Sequence, residues 1–246
     1  MNLVLLEEAD FEEAAAPLAS LADGAPRHVV LTGRRLLHLR TVHRAEQGRE
    51  LRVGLIDGRV GSGVVETIDA ERARLRVTLT EPPPAKLDFT LLLSLPRPKT
   101  LRRVLQMAAT LGIPHLVLMN SWRVEKSYWK SPQLHSAALR DQLLLGLEQG
   151  GDTVLPQVEL QRLLVPFLRD EIEGVARGER LIAHPSATTP CPRHVDGPLT
   201  LALGPEGGFL AEEVDLFVRH GFTPVSLGAR LLRVEQAVPA LVGRLT

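Results

Sequence analysis

Three consecutive prolines, Pro82-Pro83-Pro84, constrain this chain more than any other feature. Proline has no N–H to give to a ladder and fixes its own φ, so the run fits neither a central strand nor a helix interior. It predicts a linker between two domains, residues 1–82 and 86–246. The hydrophobic pattern changes period across it.

Before the prolines the pattern is that of short strands. Leu51, Val53 and Leu55 alternate with other residues, and Asp57-Gly58 supplies a hairpin turn. Val64 to Ile68 reads as a second strand, and Leu75, Val77 and Leu79 place a third that ends at Glu81. Gly61-Ser62-Gly63 marks a bulge or a sharp bend. Short alternating strands with tight turns predict a small β-barrel or sandwich, with the whole first third read as β.

After the prolines, near-continuous apolar runs alternate with helical spacing. Leu91-Leu92-Leu93-Ser94-Leu95 has the composition of a strand buried on both faces. Thr100 reads as the cap of a helix with Leu101, Val104, Leu105, Ala108 and Leu111 on one face and Gly112 at its end. His115 to Met119 is a second buried strand, and Ser136 opens a helix that ends at Gly150-Gly151. Pro166 fits the first turn of a helix reaching about Ala176. Strands follow at Leu181–Ala183, Leu199–Leu203 and Pro224–Leu227, with helices from Ala211 to His220 and from near Arg233. Such alternation predicts an α/β fold with a mostly parallel sheet.

Charge narrows the partners. The formal net charge is zero, yet residues 27–59 hold eight Arg against three acids, an excess of five. Arg34, Arg35, Arg40 and Arg44 are the candidates for phosphate contacts, since a guanidinium fork matches phosphate oxygens. The alternative, a solvated face in a chain with 25 Arg and 4 Lys, stays open at this point. The single cysteine, Cys191, excludes an internal disulfide and a Cys-rich zinc site and reads as an incidental thiol. No apolar stretch approaches the roughly 18 residues of a membrane span, and six acids precede the first Arg, unlike a signal or transit peptide. The expectation is a cytoplasmic protein with no metal and no membrane partner.

The most informative segment is Leu203-Gly204-Pro205-Glu206-Gly207-Gly208-Phe209, where a buried strand runs into a glycine-rich loop and then a helix. Glycines let a ligand approach the backbone closely. The loop has neither the Walker A nor the G-x-G-x-x-G spacing. A second strand end carries Leu227-Gly228-Ala229-Arg230-Leu231-Leu232-Arg233-Val234-Glu235. Two such tips in one sheet are suited to line one crevice at its carboxyl edge.

In combination these two motifs resemble the knotted methyltransferases of the SPOUT class, and within it the small-subunit rRNA uridine-N3 methyltransferase family, RsmE. Residues 34–59 resemble that family's PUA-like N-terminal domain, and Pro96-Arg97-Pro98-Lys99, Leu111-Gly112-Ile113, Glu148-Gln149-Gly150 and His184-Pro185 fall in the family's order. The resemblance implies a PUA-like β-barrel that binds RNA, followed by an α/β domain with a trefoil knot. It implies S-adenosylmethionine as methyl donor, S-adenosylhomocysteine as product, the small ribosomal subunit as partner and a homodimer. The cofactor loops would be His184-Pro185, Leu203 to Gly208, and Leu227-Gly228 with Leu231-Leu232. Arg233, Glu206 and Glu235 would be the catalytic candidates, because N3 of uracil must lose a proton before it attacks.

The chain departs from the family at several points. Met107 and Thr110 replace a Lys and a Glu, Gly151 stands where an Arg is usual, Gln236 replaces a Thr, and Leu210 replaces a capping Ser. A non-catalytic RNA-binding or ribosome-assembly protein on the same fold, or a methyltransferase for another RNA position, is the alternative that the changes at Met107, Thr110, Gly151 and Gln236 leave open.

Overall fold

The computed structural model describes residues 3–12 and 24–246. The acidic stretch over residues 1–26 therefore lies partly outside the described residues. The chain forms two compact units, residues 1–85 with 147–155, and residues 86–146 with 156–246.

The first unit is built on strands β1 (Val4–Leu6), β2 (Arg27–Leu31), β3 (Glu50–Leu55), β4 (Val60–Ile68) and β5 (Ala73–Glu81). Their order is β1-β3-β4-β5-β2, antiparallel except for the parallel pair β1 and β3. Residues following β1 return to the opposite edge, where Phe11 bridges Val29. One segment thus touches both edges of the sheet, which curls it toward a barrel. Val53, Leu75 and Val77 alternate into the core, as the period of two requires. The glycine run forms a bulge rather than a bend: the β4–β5 register shifts between Val60 and Gly61. A Cβ at Gly61 would collide with the Thr78 carbonyl oxygen, so the strands meet there only without a side chain.

The expectation of β structure throughout this third is corrected by helix α1 (Gly33–Thr41). It buries Leu36 and Leu39, three residues apart, against the barrel core. Two of the candidate phosphate-binding arginines are engaged internally. Arg34 chelates Glu148 through two bonds of 2.7 and 3.0 Å, and Glu148 is only 1% exposed. Arg35 chelates Asp10 at 2.5 and 2.6 Å and also reaches the Leu5 carbonyl. A buried carboxylate requires such a partner, since an unpaired charge away from water is costly.

Residues 147–155 complete this unit. Thr153 Oγ1 donates to the Gly58 carbonyl at 2.6 Å, and Asp57 accepts from the Leu155 N–H at 2.9 Å. Asp152, 5% exposed, takes the N–H groups of Thr153 and Val154. Gly151, one of the departures from the family pattern, turns the chain here at φ +73°.

The second unit holds β6 (Phe89–Ser94), β7 (His115–Met119), β8 (Gln157–Gln161), β9 (Glu179–Ala183), β10 (Leu199–Leu203) and β11 (Thr223–Val225). All pair in parallel, in the order β11-β9-β10-β6-β7-β8. The sequence pattern does not announce β8, whose residues are half-exposed and mostly polar. Helix α2 (Pro98–Thr110) starts two residues before Thr100, with Arg97 at its N-cap, because proline suits the first turn. Helix α3 (Ser136–Gly150) lies close to α2, and a Cβ at Gly146 would meet the Gln106 carbonyl. Thr110, another departure, secures this pairing by donating to the carbonyls of Gln106 and Gly146.

On one face of the sheet, Leu92, Val117, Ile182 and Ala202 pack against a helical stretch. That stretch is α4 (Leu164–Pro166), which passes through a π turn (Phe167–Glu171) into α5 (Ile172–Val175). Helix α6 (Ala211–Arg219) adds Phe217 to the same cluster. On α7 (Val234–Leu245), Val238 and Leu241 are buried, and this helix contacts α2. The connection from β9 to β10 grips both Ser226, just past β11, and the end of α7. Cys191 N–H donates to the Ser226 carbonyl, and His194 and Val195 N–H donate to the carbonyls of Arg244 and Leu245, all at 2.8 Å.

Candidate functional site

The carboxyl ends of β9 and β10 lie side by side, and the chain leaves β10 through the glycine-rich loop. A cavity of about 990 Å³ opens beside these strand ends. Three separate stretches supply most of its lining, residues 183–189, residues 203–211 and residues 231–234, joined by Arg123, Val214, Asp215, Pro224 and Ala237.

Of the sequence-derived candidates, His184, Pro185, Leu203, Gly204, Pro205, Glu206, Gly207, Gly208, Leu231, Leu232 and Arg233 line this cavity. Leu227, Gly228 and Glu235 lie outside its lining. Gly228 sits at φ +117°, a conformation that only glycine adopts readily, and its N–H is held by Ser226 Oγ at 3.1 Å. Glu235 faces Arg103 at 3.5 Å.

The glycine loop is shaped by absent side chains. A Cβ at Gly204 would come within 3.0 Å of the Phe209 nitrogen and 3.2 Å of the Gly208 backbone. Gly208 itself has φ +70°. The loop is also tied to its surroundings. Glu206 accepts the Arg97 N–H at 3.0 Å, and the Arg123 guanidinium donates to the Gly207 carbonyl. His184 accepts the Ser186 N–H at Nδ1, which leaves its proton on Nε2 to donate to the Phe209 carbonyl at 3.3 Å.

Glu213 joins two rim segments and was not singled out from sequence. It is 1% exposed, yet one oxygen accepts the Leu210 N–H and the other accepts the Trp122 N–H, each at 2.8 Å. Leu210 takes the place of a capping Ser, and Glu213 satisfies the helix start instead. Gln236 serves α7 similarly, accepting the Arg233 N–H at 3.2 Å. Arg123 was missed too, since an irregular loop carries no periodicity to flag it.

Cys191 lies away from this lining, 1% exposed. Burial pushes its thiol up from the ordinary range, which suits an unreactive side chain. Among the described residues there is no cluster of three or more His, Cys, Asp or Glu able to hold a metal ion, and no helix long and apolar enough to cross a membrane.

Comparison with known proteins bears on this geometry. The family model described as RNA methyltransferase domain matches residues 83–246. Ribosomal RNA small subunit methyltransferase E of Treponema pallidum is 29% identical over 98% of this chain and 88% of its own length. The Mycobacterium bovis protein of the same name is 26% identical over 87% of this chain and 84% of its own. The crystal structure of the Neisseria gonorrhoeae protein, solved with S-adenosyl methionine, covers 98% of this chain and 95% of its own at a TM-score of 0.73 and 22% identity. That likeness shows the fold: a SPOUT-class α/β knot preceded by a barrel-like sheet, as the resemblance implied.

Proposed function

The chain belongs to the RNA methyltransferase domain family, and on that premise we propose that it methylates N3 of a uridine in small-subunit ribosomal RNA, with S-adenosylmethionine as donor. The carrying observation is the cavity at the tips of β9 and β10, rimmed by a loop in which a side chain at Gly204 would press on backbone and Gly208 sits at φ +70°. Its volume suits a cofactor of nucleoside size. When bound there, S-adenosylmethionine supplies an electrophilic methyl group. Backbone N–H and C=O groups of residues 203–208 would read the adenine edge, and the apolar side chains of Leu231 and Leu232 would cover its faces.

The chain's own residues would then manage charge and protons. N3 lies on the Watson–Crick edge, so the uracil must be unpaired to enter. Arg233 lines the cavity and would hold the uracil oxygen that gains negative charge as N3 loses its proton. Glu206, on the opposite loop of the lining, would accept that proton. Glu235, paired with Arg103, would orient a cation next to the same helix start.

We propose the division of labour implied by the proline linker, with residues 1–82 binding RNA and residues 86–246 performing catalysis as a homodimer in the cytoplasm. The exposed Arg40 and Arg44 are better placed for phosphate contacts than Arg34 and Arg35, whose guanidinium groups face internal carboxylates. Reversing Arg40 and Arg44 to Glu is expected to weaken RNA binding at low salt and flatten its salt dependence by up to about two phosphate contacts' worth. A salt-titrated filter-binding series reads the slope; an unchanged slope assigns the basic segment to bare surface.

The function itself is tested by two measurements. Calorimetry should find S-adenosylhomocysteine bound, and nucleoside mass spectrometry of small-subunit rRNA should find 3-methyluridine lost when the chain is removed and restored when it is supplied. Cofactor binding with no change in 3-methyluridine would move the assignment to another RNA position.

A further inference from the structure

The segment after β7 carries an exposed tryptophan at the rim of the cavity. Trp122 is 68% exposed, while its neighbours Ser121 and Val124 are buried at 3% and 7%. The two residues between those anchors are therefore pinned at the surface. Arg123, the other one, lines the cavity and holds the Gly207 carbonyl. The Trp122 N–H is fixed to Glu213, whose helix contributes Ala211 and Val214 to the lining. An indole left in water forgoes a large apolar burial, and a rigid backbone beneath it preserves its position for an incoming ligand.

Charge around it selects the ligand. Residues 120–130 hold Arg123, Lys126 and Lys130 against Glu125, and two of the chain's four lysines are among them. The second tryptophan of this segment is already occupied: Trp129 Nε1 donates to Asn120 at 2.9 Å, and Arg162 stands 5.0 Å over its ring. An exposed indole in a segment that carries three cations against one acid suits single-stranded nucleic acid, because every base offers a π-face and every linkage a negative charge.

We propose that Trp122 is a stacking platform for an unpaired base of the RNA strand presented at this cavity. The inference rests on the RNA methyltransferase reading and adds to it the residue that steadies the splayed strand. Trp122 is a positioning residue: it would hold the strand without touching the transferred methyl group.

The full chain carrying Trp122→Ala or Trp122→Phe tests it. With rRNA as substrate, the Ala variant should lose about tenfold or more in kcat/KM, mostly through KM, as expected for one stacked base. The Phe variant should recover most of that loss, and calorimetric affinity for S-adenosylhomocysteine should be unchanged in both. Indole emission should be quenched by a short single-stranded oligouridylate in the unmodified chain, and that quenching should vanish in the Ala variant. Unaltered KM and quenching in the Ala variant would overturn the proposal. So would a drop in sedimentation coefficient, which would make Trp122 a contact between two copies of the chain. If the unmodified chain transfers no methyl group to any RNA, the enzymatic reading fails; oligouridylate quenching then still decides the platform alone.

Discussion

Glu213→Ala is expected to destabilise the second unit by about 2–4 kcal/mol, the cost of leaving two backbone donors without their acceptor. Both donors are specific: the N–H of Leu210 at the start of α6 and the N–H of Trp122 in the segment after β7. The carboxylate is 1% exposed, so water does not readily replace it. Methyl transfer should slow by more than about tenfold, because the rim segments that carry Arg123 and Leu210 lose their shared anchor. Glu213→Gln keeps one acceptor oxygen but turns an N–H2 group toward the other donor, so it should fall between the two. Urea unfolding and steady-state kinetics on the three proteins provide the check; equal stability of all three would remove Glu213 from the scaffold of the site.

Gly204→Val is the second large effect. Its Cβ would press on backbone atoms of Gly208 and Phe209, which cannot rotate away as a side chain can. The loop must therefore change shape, at a cost of about 1–3 kcal/mol, which corresponds to a loss of roughly 5- to 150-fold in cofactor affinity if the cavity bears it. Gly207 provides the contrast. A Cβ there would meet Arg123 Cδ at 3.0 Å, the middle of a flexible side chain. Gly207→Ala should thus cost only a few-fold, and Gly207→Val more. Titration calorimetry with S-adenosylhomocysteine orders the three variants. Intact affinity in Gly204→Val would mean that the cofactor sits elsewhere.

Strand and helix identity was legible wherever burial follows a simple period. The strand at Phe89–Ser94 carries a nearly continuous apolar run because both faces are covered, and Ala73–Glu81 alternates because one face meets water. Helix α1 was not legible: nine residues with Leu37 exposed between buried Leu36 and Leu39 offer too short a pattern, and the arginines masked it. The glycine loop was legible as a tight strand-to-helix connection, and the fold places it on the lining of a cavity, because close backbone approach leaves a residue-type signature. Glu213 left none. An acid in the first turn of a helix is ordinary in sequence, and only the fold shows that this one is buried between two loops. Trp122 and Arg123 lie in irregular backbone, where no spacing rule applies. In sequence the substitutions at Thr110 and Gln236 kept a non-catalytic reading open, and Leu210 read as a lost helix cap. In the fold Thr110 and Gln236 make local hydrogen bonds, and Leu210 gives its N–H to Glu213.

Residues 147–155 carry one practical lesson about cutting this protein. A fragment ending at the triple proline would leave Arg34 without the carboxylate it chelates, and the Asp57-Gly58 turn without the threonine that props it. Excision at the obvious seam yields an incomplete piece whose failure to fold would say nothing about RNA. The two halves are interleaved along the chain rather than modular, so a faithful dissection must graft the later nine-residue strip onto the earlier fragment.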